Sequence, residues 1–282
     1  MLRPVRSLLL PLALGCLGAT TLGQPPVVSP ALPAAEDAAW REYAITTERR
    51  IAGEVASTGR FLALEFGATA AADRQAVLSG RMPVAEMRTT RADGTPIDVP
   101  HRWVHHWRGA VLLPGVRLDQ VFSRLQSEVP GSGRGDVMAS AILGRNGPQM
   151  RVFLKVRRTK FITVVYNTEH VVTFHRHTAT RGASTSVATK IAQLDAPGTS
   201  AEREVGAGSE FLLRWNSYWR YEEAPAGVIA ECESISLSRA APFGTGLLVA
   251  PIVSGTARES MERALVNLRG HFQTPPAWSP AR

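Results

Sequence analysis

Glu231 and Glu233 stand two residues apart in an apolar stretch, a spacing that puts both carboxylates on one face of a strand. Such a pair can act as general acid and base where a pocket separates their protonation. Arg214 and Arg220 fall on the matching face of the preceding segment, so a cross-strand charge lattice is the expected role. His105 and His106 point to opposite faces of their strand, whereas His175 and His177 share one. An H-x-H pair can begin a metal site, but such a site needs further ligands and outer support, and no third ligand stands at a telling spacing. In "TEH" (168–170) a carboxylate neighbours an imidazole, yet successive strand residues point apart. Cys232 sits in an apolar pattern and reads as a small buried hydrophobe. The tripeptide in "GRGD" (133–136) matches an adhesion motif and is attributed to chance. "GSGRG" and "GTG" are too short for a phosphate loop and lack its lysine, and no G-x-S-x-G elbow occurs. The expectation is therefore no catalytic residue, no metal and no cofactor.

Those residues need a scaffold. At 282 residues the chain can bury a sizeable core, and 44% hydrophobic with 20% charged residues is the balance of a globular protein. The net charge is +8, but the basic residues are scattered, with "KVRR" (155–158) the densest group. A nucleic-acid binder concentrates charge on one face, so no nucleic-acid partner is expected. The start, "MLRPVRSLLLPLALGCLGATTLGQPP", has two arginines, an apolar run from Leu8 to Leu17 and then small residues. That is the pattern of a secretory signal, with cleavage near Gly23/Gln24 and a secreted or periplasmic destination. A lipidated Cys16 is the minority reading, because a leucine stands near it where a small residue is usual. Losing Arg3 and Arg6 with the leader lowers the charge from +8 to +6. No later segment is apolar enough to span a bilayer. Cys232 is then the one remaining cysteine, which excludes an intrachain disulfide.

Residues 24–35 are a Pro-rich, flexible leader. From 36 to 56, Trp40, Tyr43, Ala44, Thr47, Ile51 and Val55 recur at helical spacing. "RFLALEF" (60–66) reads as a strand and 70–80 as a short helix. Beyond Trp103 come a strand, a helical segment (116–129) and six strands in succession, with "RGAS" taken as a turn. A helix over 255–272 closes the order, with Ala257, Met261, Ala264, Leu265, Leu268 and Phe272 on one side. Sequential strands joined by short links imply an antiparallel sheet.

The two strands around "EAPA" (223–226) can be paired so that Tyr221 faces Val228, Trp219 faces Ala230, Ser217 faces Cys232 and Trp215 faces Ser234. One face then carries Phe211, Leu213, Trp215, Trp219, Tyr221, Val228, Ala230 and Cys232; the other carries Arg214, Asn216, Arg220, Glu231 and Glu233. Large rings thus meet small partners. They either interdigitate in a packed core or wall a cavity, and the residues by themselves favour packing.

The order of elements resembles the START-like (SRPBCC) superfamily of polyketide cyclases and lipid-transfer domains. "NSYWRYEE", "GVIAECESISLSRAAP" and "ARESMERALVNLR" resemble its last two strands and gripping helix, and "HHWRGAVLLPGVRLDQVFSRLQ" its first strand and following helix. The resemblance implies an α+β helix-grip fold: a curved antiparallel sheet of about seven strands around a long C-terminal helix. It spans 100–272, leaving 36–99 as an N-terminal helical and strand extension and 273–282 as a disordered tail. It also implies a cavity between sheet and helix for an apolar or amphipathic small molecule. The candidate lining is Phe211, Leu213, Trp215, Trp219, Tyr221, Ala230, Cys232, Ser234, Met261, Leu265 and Leu268. Binding rather than catalysis is the expectation. A cyclase- or hydrolase-type enzyme, or an envelope interaction protein with a collapsed cavity, are the alternatives. Nothing in the sequence sets the oligomeric state.

Overall fold

The computed structural model describes residues 29–130, 133, 135–159, 163–204, 211–239 and 246–274, the last stretch with its side chains from Ala257 onward. The expected leader and cleavage point and the tail beyond 274 lie outside the described residues.

The chain opens with α1 (Ala34–Val55), a 3-10 turn (Ala63–Phe66), α2 (Ala70–Leu78) and the short strand β1 (Val84–Glu86). Then come β2 (Arg102–Pro114), α3 (Leu118–Ser127), β3 (Val137–Asn146), β4 (Gln149–Thr159), β5 (Thr163–Arg176), β6 (Arg181–Gln193), β7 (Leu212–Ala224), β8 (Gly227–Arg239) and α4 (Gly246–Gln273). All eight strands join one sheet in the order β1-β2-β8-β7-β6-β5-β4-β3, and every pairing is antiparallel. The first long strand is therefore bonded to the last. The eighth strand, beyond the seven expected, is β1, which adds a short edge to β2.

Side-chain alternation gives the sheet two chemically different faces. The inner face packs on α3 and α4: Trp107, Val111, Leu113, Tyr221, Val228, Ala230 and Cys232 share one apolar cluster with Leu118, Val121, Phe122, Met261, Leu265 and Leu268. The α4 stripe foreseen from its 3.6-residue period is the one that packs. The outer face of β2, β7 and β8 is covered by the N-terminal elements. Trp40, Tyr43 and Ala44 of α1 pack with Leu213, Tyr218, Ile235 and Leu237, while Phe61, Leu62, Leu64 and Val77 pack with Ala110, Leu112 and Ile229.

Four local expectations are corrected. "RFLALEF" is not a strand. Its Ala63 and Leu64 N–H groups donate to the Glu231 carboxylate, and Glu65 accepts from Phe61 and Leu62, so side chains take the donors a ladder would use. "RGAS" is not a turn but the start of β6, with Arg181 opposite Glu222 and Gly182 opposite Tyr221. A side chain at Gly182 would meet the Phe122 ring, its Cβ 2.5 Å from Cζ. The β7–β8 register is displaced by two residues, Ala224 facing Gly227 and Tyr221 facing Ala230, because Pro225-Ala226 alone make the turn. Gly227 permits this with φ of 144° against the Leu113 carbonyl, where a Cβ would lie at 2.1 Å. A shift of two keeps every side chain on its face. Last, an irregularity between Leu212 and Arg214 turns Leu213 to the outer face, away from Trp215.

Candidate functional site

The inner face has a packed end and a more open, polar end. At the packed end Phe122 meets Phe174 and Tyr221 edge to face, each at 5.6 Å, and Trp219 stacks on Tyr221 at 6.2 Å. Burial pushes the Tyr221 phenol up. Ala230 lies opposite Tyr221 and Cys232 opposite Trp219, and both small residues are buried. Both belong to the apolar cluster that also contains Met261, Leu265 and Leu268 of α4. At neighbouring Gly109 a Cβ would stand 2.8 Å from Leu265 and 2.9 Å from Met261. Burial also raises the Cys232 thiol well above its ordinary value, which keeps it protonated and unreactive.

Toward the other end of β7 and β8, Trp215, Ser217, Ser234 and Ser236 are only half-buried. The Trp215 indole N–H donates to Ser234 Oγ at 3.1 Å, and Ser217 donates to the same oxygen at 3.3 Å. His170 meets the Trp215 ring edge-on at 5.0 Å, and the Arg158 guanidinium lies 6.0 Å from that ring. His170 is held by Thr168 at 3.0 Å and Ser186 at 3.2 Å, and His105 by Ser238 at 2.7 Å. Burial lowers both imidazoles to about 4, so they are neutral at pH 7. This end therefore offers one indole face, a row of hydroxyls and the part-buried His105 imidazole, with the buried His170 packed against the indole. A cavity of about 400 Å³ opens beside the start of β5, the end of β6 and the start of β7, lined among others by Val164, Leu194, Pro197, Arg203 and Phe211.

Of the predicted lining residues, Phe211 borders that cavity and is 46% exposed; Trp215 and Ser234 form the half-buried floor. Trp219 is half-buried beside the apolar cluster that contains Tyr221, Ala230, Cys232, Met261, Leu265 and Leu268. Leu213 lies on the other face, beneath α1. The hydroxyl row extends to Ser236, which alternates with Ser234 along β8, and to Ser217, the cross-strand partner of Ser234 on β7; the alternation along β8 was the available signal. Among the described residues no group of three or more His, Cys, Asp or Glu side chains could hold a metal ion. Asp136 of the GRGD segment is tied to Arg158 at 2.7 Å and Arg263 at 2.9 Å, joining β4 to α4.

Of the expected cross-strand charge lattice only Arg220 stands near Glu233, at 3.8 Å, while Arg214 pairs with Asp37 of α1, and the layer is buried. Glu231, Glu233, Arg220 and His106 are all at most 2% exposed, sandwiched between the outer face and the N-terminal elements. Tyr43 Oη accepts the Thr89 N–H at 3.2 Å and lies 2.8 Å from His106 Nδ1. The Tyr43 hydroxyl then donates to Nδ1, leaving Nε2 to carry hydrogen toward Glu233 Oε1 at 2.7 Å. Arg50 of α1 also pairs with Glu233, and these partners hold that carboxyl below its ordinary value against the cost of burial. Arg220 reaches Glu54 at 2.6 Å and the Phe61 carbonyl at 3.0 Å. Sequence alternation identified this face as charged, and the shared side of Trp40, Tyr43 and Ile51 pointed to a helix packed on the core, but nothing tied that helix to this face.

The pairing of first and last long strands, the helical segment after the first and the terminal helix across the inner face make a helix-grip arrangement. The chain has a START-like fold. No family model matches it, and no curated protein matches it. Solved structures similar to it include a STAR-related lipid transfer protein from Xanthomonas axonopodis, at 16% identity over 68% of this chain and 99% of that one, with a TM-score of 0.43. The Zhui aromatase/cyclase from a Streptomyces species has 10% identity, 61% and 94% coverage and a TM-score of 0.43. Human StAR-related lipid transfer protein 5 has 12% identity, 84% and 98% coverage and a TM-score of 0.44. At these values the fold assignment rests on the topology of the chain itself. No helix among the described residues is long and apolar enough to cross a membrane.

Proposed function

We propose that this START-like chain binds an apolar or amphipathic small molecule against the Trp215 end of its inner face, and that its N-terminal leader directs it out of the cytoplasm. The observation that carries the binding reading is the contrast between the two ends. Ala230 and Cys232 are closed by packing, whereas Trp215 stands half-buried among Ser217, Ser234 and Ser236. An indole face gives apolar contact area, and hydroxyls around it orient a polar group on the ligand. A catalytic reading of the same face rests on the 2.7 Å contact between neutral His105 and Ser238, a base beside a hydroxyl. Attachment to an envelope partner through the first helix is not favoured, since Trp40 and Tyr43 are already buried against the chain's own sheet.

Two tryptophan substitutions test the binding reading. Ser217→Trp fills the half-buried floor and is expected to weaken binding of a naphthalene-sulfonate fluorescent probe about tenfold or more, roughly 1.4 kcal/mol, with little loss of stability. Ala230→Trp enters the packed end and is expected to cost about 1–3 kcal/mol of stability by overpacking. Titration of the probe and urea unfolding of both variants measure this. Unchanged probe affinity in Ser217→Trp would refute the location. Turnover of an ester substrate that is lost in Ser238→Ala would favour catalysis instead.

A further inference from the structure

The densest basic group of the sequence, "KVRR" (155–158), lies in β4, and alternation divides it between the two faces of the sheet. Met150, Val152 and Leu154 join the inner cluster. Arg151, Phe153, Lys155 and Arg157 therefore form one row on the outer face. This half of the outer face is open. The apolar clusters beneath the N-terminal elements hold residues of β2, β7 and β8, and none of β3, β4, β5 or β6. Phe153 is half-buried between Ala141 of β3 and Glu169 of β5 and joins none of the apolar clusters. One step along, Arg151 faces Val171, and Val171 faces Val187, which is 38% exposed.

The charges on this face are unevenly matched. Arg151 pairs with Glu169 at 2.9 Å, and Lys190 with Glu202 at 2.7 Å. Lys155 and Arg157 have no carboxylate partner among the described residues; they face Asn167 and Val165 in the ladder. Asp136 accepts the Arg157 N–H on its carbonyl but turns its carboxylate to Arg158 and Arg263 on the inner side. Val165 also lines the 400 Å³ cavity, whose rim carries the Asp195–Arg203 pair at 3.7 Å. The row thus runs up to the edge of that cavity.

We propose that this face, the row from Arg151 to Arg157 with Val171 and Val187 beside it, docks the protein on an anionic phospholipid bilayer. The negative surface potential of such a bilayer attracts the two unmatched cations, and the Phe153 ring between them and Arg151 meets the boundary of headgroups and acyl chains. A nucleic-acid strand would follow a track of cations to its phosphates and gain nothing from Val171 and Val187. The docking does not depend on what occupies the Trp215 end, although it would set the cavity edge against the lipid.

Vesicle co-sedimentation of the full chain in about 50 mM salt tests this, with phosphatidylcholine vesicles containing phosphatidylglycerol and with phosphatidylcholine alone. Lys155→Gln with Arg157→Gln is expected to weaken binding to the anionic vesicles about thirtyfold, since each cation at the surface contributes about a fivefold gain. Binding to the neutral vesicles should not change. Arg117→Gln with Arg258→Gln removes the same charge from exposed positions at α3 and α4 and should change anionic binding less than threefold. Equal losses in the two double variants would reduce the effect to net charge and overturn the proposal. Wild-type affinity in the Lys155/Arg157 variant overturns it equally. So does a DNA duplex whose binding is lost in that variant while vesicle binding is kept.

Discussion

A chain beginning at Pro100, with the whole helix-grip region but without α1, the 3-10 turn, α2 and β1, is expected not to fold. The outer face of its sheet would present Ile229, Ile235, Leu237, Leu112 and Leu213 to water, residues that the N-terminal elements bury. Burial of five such side chains is worth on the order of 10 kcal/mol, comparable with the entire stability of an ordinary domain, about 5–15 kcal/mol. The truncation would also strip Arg220 of Glu54 and Glu233 of Arg50. The expected result is insoluble protein, or soluble protein without a cooperative thermal transition by circular dichroism. A soluble chain melting within a few degrees of the full protein would show that the extension is an accessory.

The largest single-residue effect is expected at Arg220. Its guanidinium is 2% exposed and joins β7 to Glu54, to the Phe61 carbonyl and, at 3.8 Å, to Glu233. Arg220→Ala would leave the buried Glu233 with less positive charge around it and the Phe61 carbonyl without this donor. Breaking a buried pair from one side costs about 3–5 kcal/mol. Urea unfolding should show that loss as a lowered midpoint at unchanged slope. Arg91→Ala serves as the contrast. The Arg91–Glu42 pair is exposed on both sides and screened by solvent, so its removal should leave the unfolding midpoint nearly unchanged. Equal losses in the two variants would mean that the buried layer contributes no more than a surface pair.

Much of this arrangement could be read from periodicity. A two-residue period sorted β7 and β8 into an aromatic face and a charged face, and this survived a two-residue error in register because parity was preserved. The same rule put His105 and His106 on opposite faces, one on the inner floor and one in the charged layer. What periodicity does not encode is the covering element. Glu231 and Glu233 belong to a polar face, and polarity suggested solvent; α1 and the 3-10 turn instead bring matching charges and N–H donors from about 170 residues away in the chain. The small residues Ala230 and Cys232 were ambiguous for a related reason. Whether they leave room depends on how closely α4 approaches, which Gly109 decides from a different strand. Leu213 changed face through a local irregularity beside Leu212 that its apolar character does not announce.

The central claim, that the Trp215 end of the inner face holds a small molecule, is tested most directly by native mass spectrometry of the full-length gene product recovered from its host. The expected spectrum shows a discrete adduct of small-molecule mass that collisional activation removes and that is depleted in Ser217→Trp. A mature mass beginning near Gln24 in the same spectrum would support export. Bare protein before and after incubation with the host's extracted lipids, in wild type and Ser217→Trp alike, would contradict the account.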